Sequence, residues 1–161
     1  MAPPKLNPTA LLRYIAPGTR KYYWVTTIAT QASPSRGELN AGLDLSDEVA
    51  DVSGFTVTSD QVEVPDLATR FTGKIPGRIH ADDSSMTFYA ASTSNDVRTV
   101  LPRDTAGFMV ILPEGDVTGQ KMDVFPAKVT SSYVDQSVAD PGRVVVNFSI
   151  TKIPSQNVTI P

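Results

Sequence analysis

Residues 84–112, SSMTFYAASTSNDVRTVLPRDTAGFMVIL, limit the possible folds more than any other stretch of the chain. Met86 and Phe88 alternate with Ser85 and Thr87, the period-two pattern of a half-buried strand, and 107–112 (GFMVIL) is a continuous apolar run of strand length. Between them Ser94 or Asn95 can accept the first free amide hydrogens of a short helix. Asp96 suits the positive N-terminal end of that helix and Pro102 ends it. Val97, Val100 and Leu101 then share one side. A helix of one or two turns is not stable alone in water, so this stripe has to be buried against a sheet.

The other segments read as more sheet. Segment 21–30 (KYYWVTTIAT) is rich in aromatic and β-branched residues, with Trp24 as its anchor. In 54–64 (GFTVTSDQVEV), Phe55 and Val57 alternate with Thr56 and Thr58. The phase slips near Asp60 before Val62 and Val64, the mark of a bulge or tight turn. Segment 70–80 carries Phe71, Ile75 and Ile79 but is interrupted by Gly73, Pro76 and Gly77, as in a bent or edge strand. A hairpin-type connection at 113–119 leads into 121–133. Segment 143–153 then sets Val144, Val146, Phe148 and Ile150 against Val145, Asn147, Ser149 and Thr151. The predicted fold is a two-layer antiparallel β-sandwich with one short flanking α-helix, its core including Val97, Leu101, Phe108, Val146 and Phe148. All 161 residues form one domain, with 1–20 as a proline-rich N-terminal arm and 154–161 as an extended C-terminal arm.

Segment 31–53 stands apart. It offers Leu39, Leu43, Leu45 and Val49 as spaced apolar points among Pro34, Gly37, Gly42 and several carboxylates. A connection this long with little regular structure tends to be functional. These four side chains are too apolar for a segment that only links strands, so the loop is read as an inter-subunit contact.

Composition narrows the partners. A formal charge of −3 lacks the basic excess with which proteins grip phosphates, so tight nucleic-acid binding is not expected. Zero cysteines exclude disulfides, cysteine-ligated zinc and thiol catalysis. Arg13 splits the apolar residues near the start, and no stretch approaches a membrane span, so the chain reads as made in the cytoplasm without a signal peptide or membrane anchor. The Asn147 and Asn157 sequons then carry no glycan.

Few residues offer chemistry. His80 with Asp82 and Asp83 could be an acid–base or metal cluster, but a polar turn at a strand end explains it more simply, and no second histidine completes a site. Ser84 and Ser85 lack a nucleophile-elbow context, and 115–119 lacks the phosphate-loop ending. Carboxylates in turns are usually solvated. No catalytic residue, cofactor or metal is expected. Trp24 with Tyr22 and Tyr23 could form a sugar-stacking platform, which keeps a carbohydrate-binding, adhesin-like β-sandwich as the alternative function; a small hydrolase is a third.

The succession IAPGTRKYYWVTTIA (15–29), SRGELNAGLDLSDEVADVSGF (35–55), KIPGRIHADDSSMTFYA (74–90), DVRTVLPRDTAGFMVILPEGD (96–116), MDVFPAKVTS (122–131) and RVVVNFSITKIP (143–154) resembles the major tail tube proteins of long-tailed bacteriophages that infect actinobacteria. The resemblance covers nearly the whole chain in order. It implies a virion protein without enzymatic activity that closes into homo-hexameric rings, stacked helically into the tube through which DNA passes without specific binding. It also implies contacts with the tape measure, tail tip and tail terminator. Six copies would carry six times −3, a formal −18, which suits passage of phosphates. On this reading the polar sides of two strands face the lumen, through Thr56, Thr58, Asn147, Ser149 and Thr151.

Overall fold

The computed structural model describes residues 17–91, 96–135 and 137–161. Their order is β1 (Lys21–Val25), α1 (Arg36–Asn40), β2 (Leu43–Asp44), β3 (Val49–Ser53), β4 (Val57–Val64), β5 (Gly73–Ala81), β6 (Ser84–Tyr89), α2 (Val97–Val100), β7 (Ala106–Leu112), β8 (Lys121–Asp135), β9 (Arg143–Ile150) and β10 (Ser155–Thr159). The main antiparallel sheet runs β2-β1-β7-β8-β9-β6-β3, with β10 also on β8; β4 and β5 form a separate pair.

The fifteen-residue β8 makes a sandwich out of one sheet. Its first half pairs with β7, down to Ala106↔Lys128, and with β10; its second half pairs with β9, from Ala127↔Ile150 to Asp135↔Arg143. Pro126 sits where one flank changes from β10 to β9. Its carbonyl accepts from Thr151 N–H at 2.9 Å, and the donor that proline lacks would fall in the gap between the two strands. Beyond a register shift between Val129 and Ser131 the sheet folds back, so that β1 faces β9: Trp24 and Phe148 ring centroids lie 5.8 Å apart. Gly107 lies under the Trp24 ring, where an added Cβ would come within 2.7 Å.

The alternation in β6 and β9 places Met86, Phe88, Val144, Val146 and Phe148, with Val129 beside Phe148, in the space between the layers, and Tyr22, Trp24, Met109 and Phe125 opposite. Val97 and Leu101 of the α2 region close this core, as the helix stripe requires. A second cluster covers the other face of β1 and β7: Val25, Val110, Leu112, Met122 and Val124 lie under Leu39, Val158 and Ile160. Phe108 is only partly buried and packs against this second cluster.

Three expectations change. Segment 31–53 is structured, because Ser35-Arg-Gly-Glu38 is a capping box: Glu38 N–H donates to Ser35 Oγ at 3.3 Å and Ser35 N–H donates to Glu38 Oε2 at 2.7 Å. The chain therefore has a second short helix, α1. Segment 154–161 is not an arm: β10 pairs with β8 and Ile160 is buried, since its apolar residues cover an otherwise exposed sheet face. The cap of α2 is Asp96, whose Oδ1 accepts from Arg98 N–H at 3.4 Å. Ser94 and Asn95, like most of the arm at 1–20, lie outside the described residues.

Candidate assembly surfaces

The β4–β5 hairpin stands clear of the sandwich. Its register runs from Val57↔Ala81 to Val64↔Gly73, with a shift between Ser59 and Gln61 where the sequence slips phase. Val62 and Ile75 are cross-strand partners and so share a face, and Val64, two residues on, shares it with them. Val62, Val64, Ile75 and Ile79 are all about half exposed, Phe71 is 79% exposed and Leu67 wholly so. An isolated two-stranded hairpin is marginal in water, and apolar side chains gathered outside any core mark a contact surface.

Its root is fixed. Phe55 is buried edge-on to Phe125 at 5.5 Å and beside Phe148 at 5.7 Å, with a positive φ of 54°. Gly54 before it has φ 80°, and a Cβ there would lie 2.3 Å from the Asp83 carbonyl oxygen. Phe55 N–H donates to Ser84 Oγ at 2.9 Å, and Thr56 Oγ1 donates to Asp82 Oδ2 at 2.6 Å. These bonds tie both strands of the hairpin to the start of β6 and set the direction in which it leaves.

A second surface is the outer face of β3, β6, β9 and the last residues of β8. The registers align Ser53, Ser85, Asn147 and Ser131 in one row, and Asp51, Thr87, Val145 and Tyr133 in the next. Asn147 Nδ2 donates to Ser131 Oγ at 2.8 Å. Both flanks of this four-strand face are open among the described residues: β3 pairs only with β6, and β8 beyond Val129, whose backbone is still bonded to Asp104 and Thr105, pairs only with β9. Unpaired strand edges are templates for further strands.

A third arrangement holds the subunit together. Arg36 Nη1 and Nη2 donate to the two oxygens of Asp116 at 2.5 and 2.7 Å, and Tyr23 Oη donates to Asp116 Oδ2 at 3.0 Å. Burial, and then the Asp116 carboxylate, push the Tyr23 phenol up to about 12. The Arg36 hydrogen bonds hold the Asp116 carboxyl below the usual carboxylate range. This pins α1 onto the sheet and turns Leu39 inward.

A sequence profile described as phage tail tube protein matches residues 8–161. This chain belongs to the phage tail tube protein family. It is accordingly a structural protein of the virion tail. The sheath/tube terminator of an extracellular contractile injection system (PVC) shares its fold at TM-score 0.63 and 12% identity, over 91% of this chain and 99% of that one. The tail of an empty gene transfer agent particle gives 0.51 and 10%, covering 86% and 93%. The tail tube of SPP1 gives 0.50 and 14%, covering 88% and 79%. No curated protein matches the sequence.

For a tube protein, the expected contact residues fall in several places. Leu39 and Leu45 are buried in the subunit's own two clusters, because α1 and the Leu45 N–H bond to the Tyr22 carbonyl (2.9 Å) fold the segment inward. They leave the inter-subunit set; Val49 is half-buried and Leu43 remains exposed. Asn147 and Ser149 lie on the open polar face. Thr56 and Thr58 sit at the hairpin root, Thr58 bonded to His80 Nε2 at 3.0 Å, and Thr151 follows β9 with its N–H on Pro126 O. The five lumen candidates therefore do not share one face. The sugar platform fails as well: Trp24 and Tyr22 are core residues and Tyr23 is bound to Asp116. The exposed apolar set of the hairpin, Val62, Val64, Leu67, Phe71, Ile75 and Ile79, lies outside the contact residues expected from the sequence. Its signal was the pair Val62/Val64 facing Phe71, Ile75 and Ile79 across a turn.

Proposed function

We propose that copies of this chain close edge to edge into hexameric rings, and that these rings stack into the tail tube through which a long-tailed phage delivers its DNA. The observation that carries this is the four-strand polar face with two dissimilar open edges, β3 on one side and 130–135 of β8 on the other. Since β3, β6, β9 and β8 alternate in direction, β3 of one copy would meet β8 of the next as an antiparallel pair. Such a contact joins two different patches, so repetition by rotation closes a ring. The small polar residues Ser53, Ser85, Ser131, Asn147 and Ser149 then line the lumen, where Asp51 and Asp135 offset Arg143 and Lys128 on the same face and leave no basic excess to hold phosphates. The sixfold symmetry named for the gene transfer agent tail supports six copies.

The hairpin is the ring-stacking element in this reading, and Leu43 and Val49 are auxiliary contacts. The role is structural, without catalysis, in a phage of actinobacteria as the motif resemblance implies. Tape measure, tail tip and tail terminator are the expected further partners, the neighbouring PVC terminator fold supporting the last. The test uses purified protein carrying Asp51→Cys and Tyr133→Cys, in a chain that has no other cysteine. Electron microscopy should show hollow rods of uniform width, and a short bis-maleimide should link copies into closed oligomers ending at six. Globular particles without a lumen, or no linking through these two positions within rods, would overturn the ring.

A further inference from the structure

We propose that the hairpin tip of one copy docks its Leu67, Arg70 and Phe71 into the groove between β2 and α2 of a second copy. The inference rests on the stacking role given to the hairpin above and names what that hairpin meets. The groove has a volume of about 360 Å³, enough for one or two large side chains. Its floor is apolar, formed by Leu43, Tyr89, Val97 and Val100, and Leu43 and Tyr89 are each about two-fifths exposed in the lone subunit. No residue of the subunit's own hairpin is among those lining it.

Charge identifies the occupant. Three carboxylates rim the groove. Asp44 is engaged by Lys21 Nζ at 3.6 Å and by Ser46, and Asp96 by Arg98 Nε at 2.6 Å. Glu48 has no side-chain partner among the described residues. At the hairpin tip the guanidinium of Arg70 is equally unpaired among the described residues, and it lies between the two most exposed large apolar side chains of the hairpin, Leu67 and Phe71. An apolar floor with one free carboxylate at its rim matches an apolar pair flanking one free cation. Docking removes Leu67 and Phe71 from water and pairs Arg70 with Glu48.

The test is charge exchange in assembled protein. Arg70→Glu should cut the yield of tubes roughly tenfold or more, as should Glu48→Arg, because a like-charge meeting recurs at every subunit. The double variant should restore tubes. Thr69→Cys with Asp44→Cys and a short bis-maleimide should link copies into a ladder within tubes. Normal tubes from both single variants overturn the inference, as does failure of the double variant to recover. So does linking of position 69 only to position 69 of another copy, with position 44 left unlinked. Linking of positions 51 and 133 reports on the ring independently. If it persists while positions 69 and 44 stay unlinked, the ring stands and this docking falls; if both are lost in the parent background, the ring reading falls first.

Discussion

Strand β6 and the β4–β5 hairpin carry the same kind of pattern with opposite outcomes. Met86 and Phe88 of β6 alternate with Ser85 and Thr87, and both apolar side chains are wholly buried because β1, β7 and β8 supply a facing layer. Val62, Val64, Phe71 and Ile75 lie on strands or a turn of similar composition, yet remain exposed because no layer among the described residues faces them. Apolar alternation specifies that a strand needs a cover. It does not specify whether the cover belongs to the same chain. On the proposed reading, the difference separates residues that fold the subunit from residues left to join it to others.

The largest expected effect is at Phe88. Phe88→Ala should cost about 3–5 kcal/mol of folding stability, whereas Phe71→Ala should change it by no more than about 0.5 kcal/mol while abolishing tubes. Urea denaturation of both variants measures the contrast, and equal losses would erase the distinction between the two regions. The same contrast is expected two residues apart in the segment read from sequence as an interaction loop. Leu45→Ala should cost about 2–5 kcal/mol and Leu43→Ala about 0.5 kcal/mol or less. A folded Leu45→Ser protein that only fails to assemble would return Leu45 to the inter-subunit set.

Gly54 is the joint between the two regions. Gly54→Ala adds a Cβ against the Asp83 carbonyl at a positive φ, so it should cost more than about 1 kcal/mol. It should also give irregular or absent tubes, since the hairpin would leave the sandwich at another angle. A variant with parent-like stability and rods of normal width would show that the root does not set that direction.

The smallest effect is confined to alkaline pH. The Tyr23 phenol is raised from 10.0 to about 12, so between those values the unfolded chain has released a proton that the folded chain retains. The contribution is complete below pH 10 and is lost as pH rises towards 12. Tyr23→Phe should lose about 0.5–1.5 kcal/mol at neutral pH, through the missing bond to Asp116, and should decline less steeply across that window. Denaturant midpoints taken from pH 9 to 12 check it; parallel declines would mean that the phenol does not titrate with folding.

Local chemistry was readable along the chain wherever it needed only near neighbours. The strands at β1, β6, β7 and β9, the stop at Pro102, the bulge in β4 and the stripe of Val97, Val100 and Leu101 follow from period, β-branching and proline. The capping box at Ser35 and Glu38 is equally local, but it shows in side-chain identity and not in apolar spacing, so a pattern of spaced leucines alone reads α1 as loop. Tertiary structure alone decided which apolar residues are covered and by what. Leu45 goes inward because its N–H meets the Tyr22 carbonyl across 23 positions of chain, a pairing no local pattern contains. The C-terminal residues became β10 because β8 is long enough to pair with three strands. Thr56 and Thr58 parted from Asn147 and Ser149 because the positive φ of Gly54 and Phe55 turns the chain out of the sheet. Burial is a property of pairs of surfaces. A sequence states one member of each pair, and folding, or assembly, supplies the other.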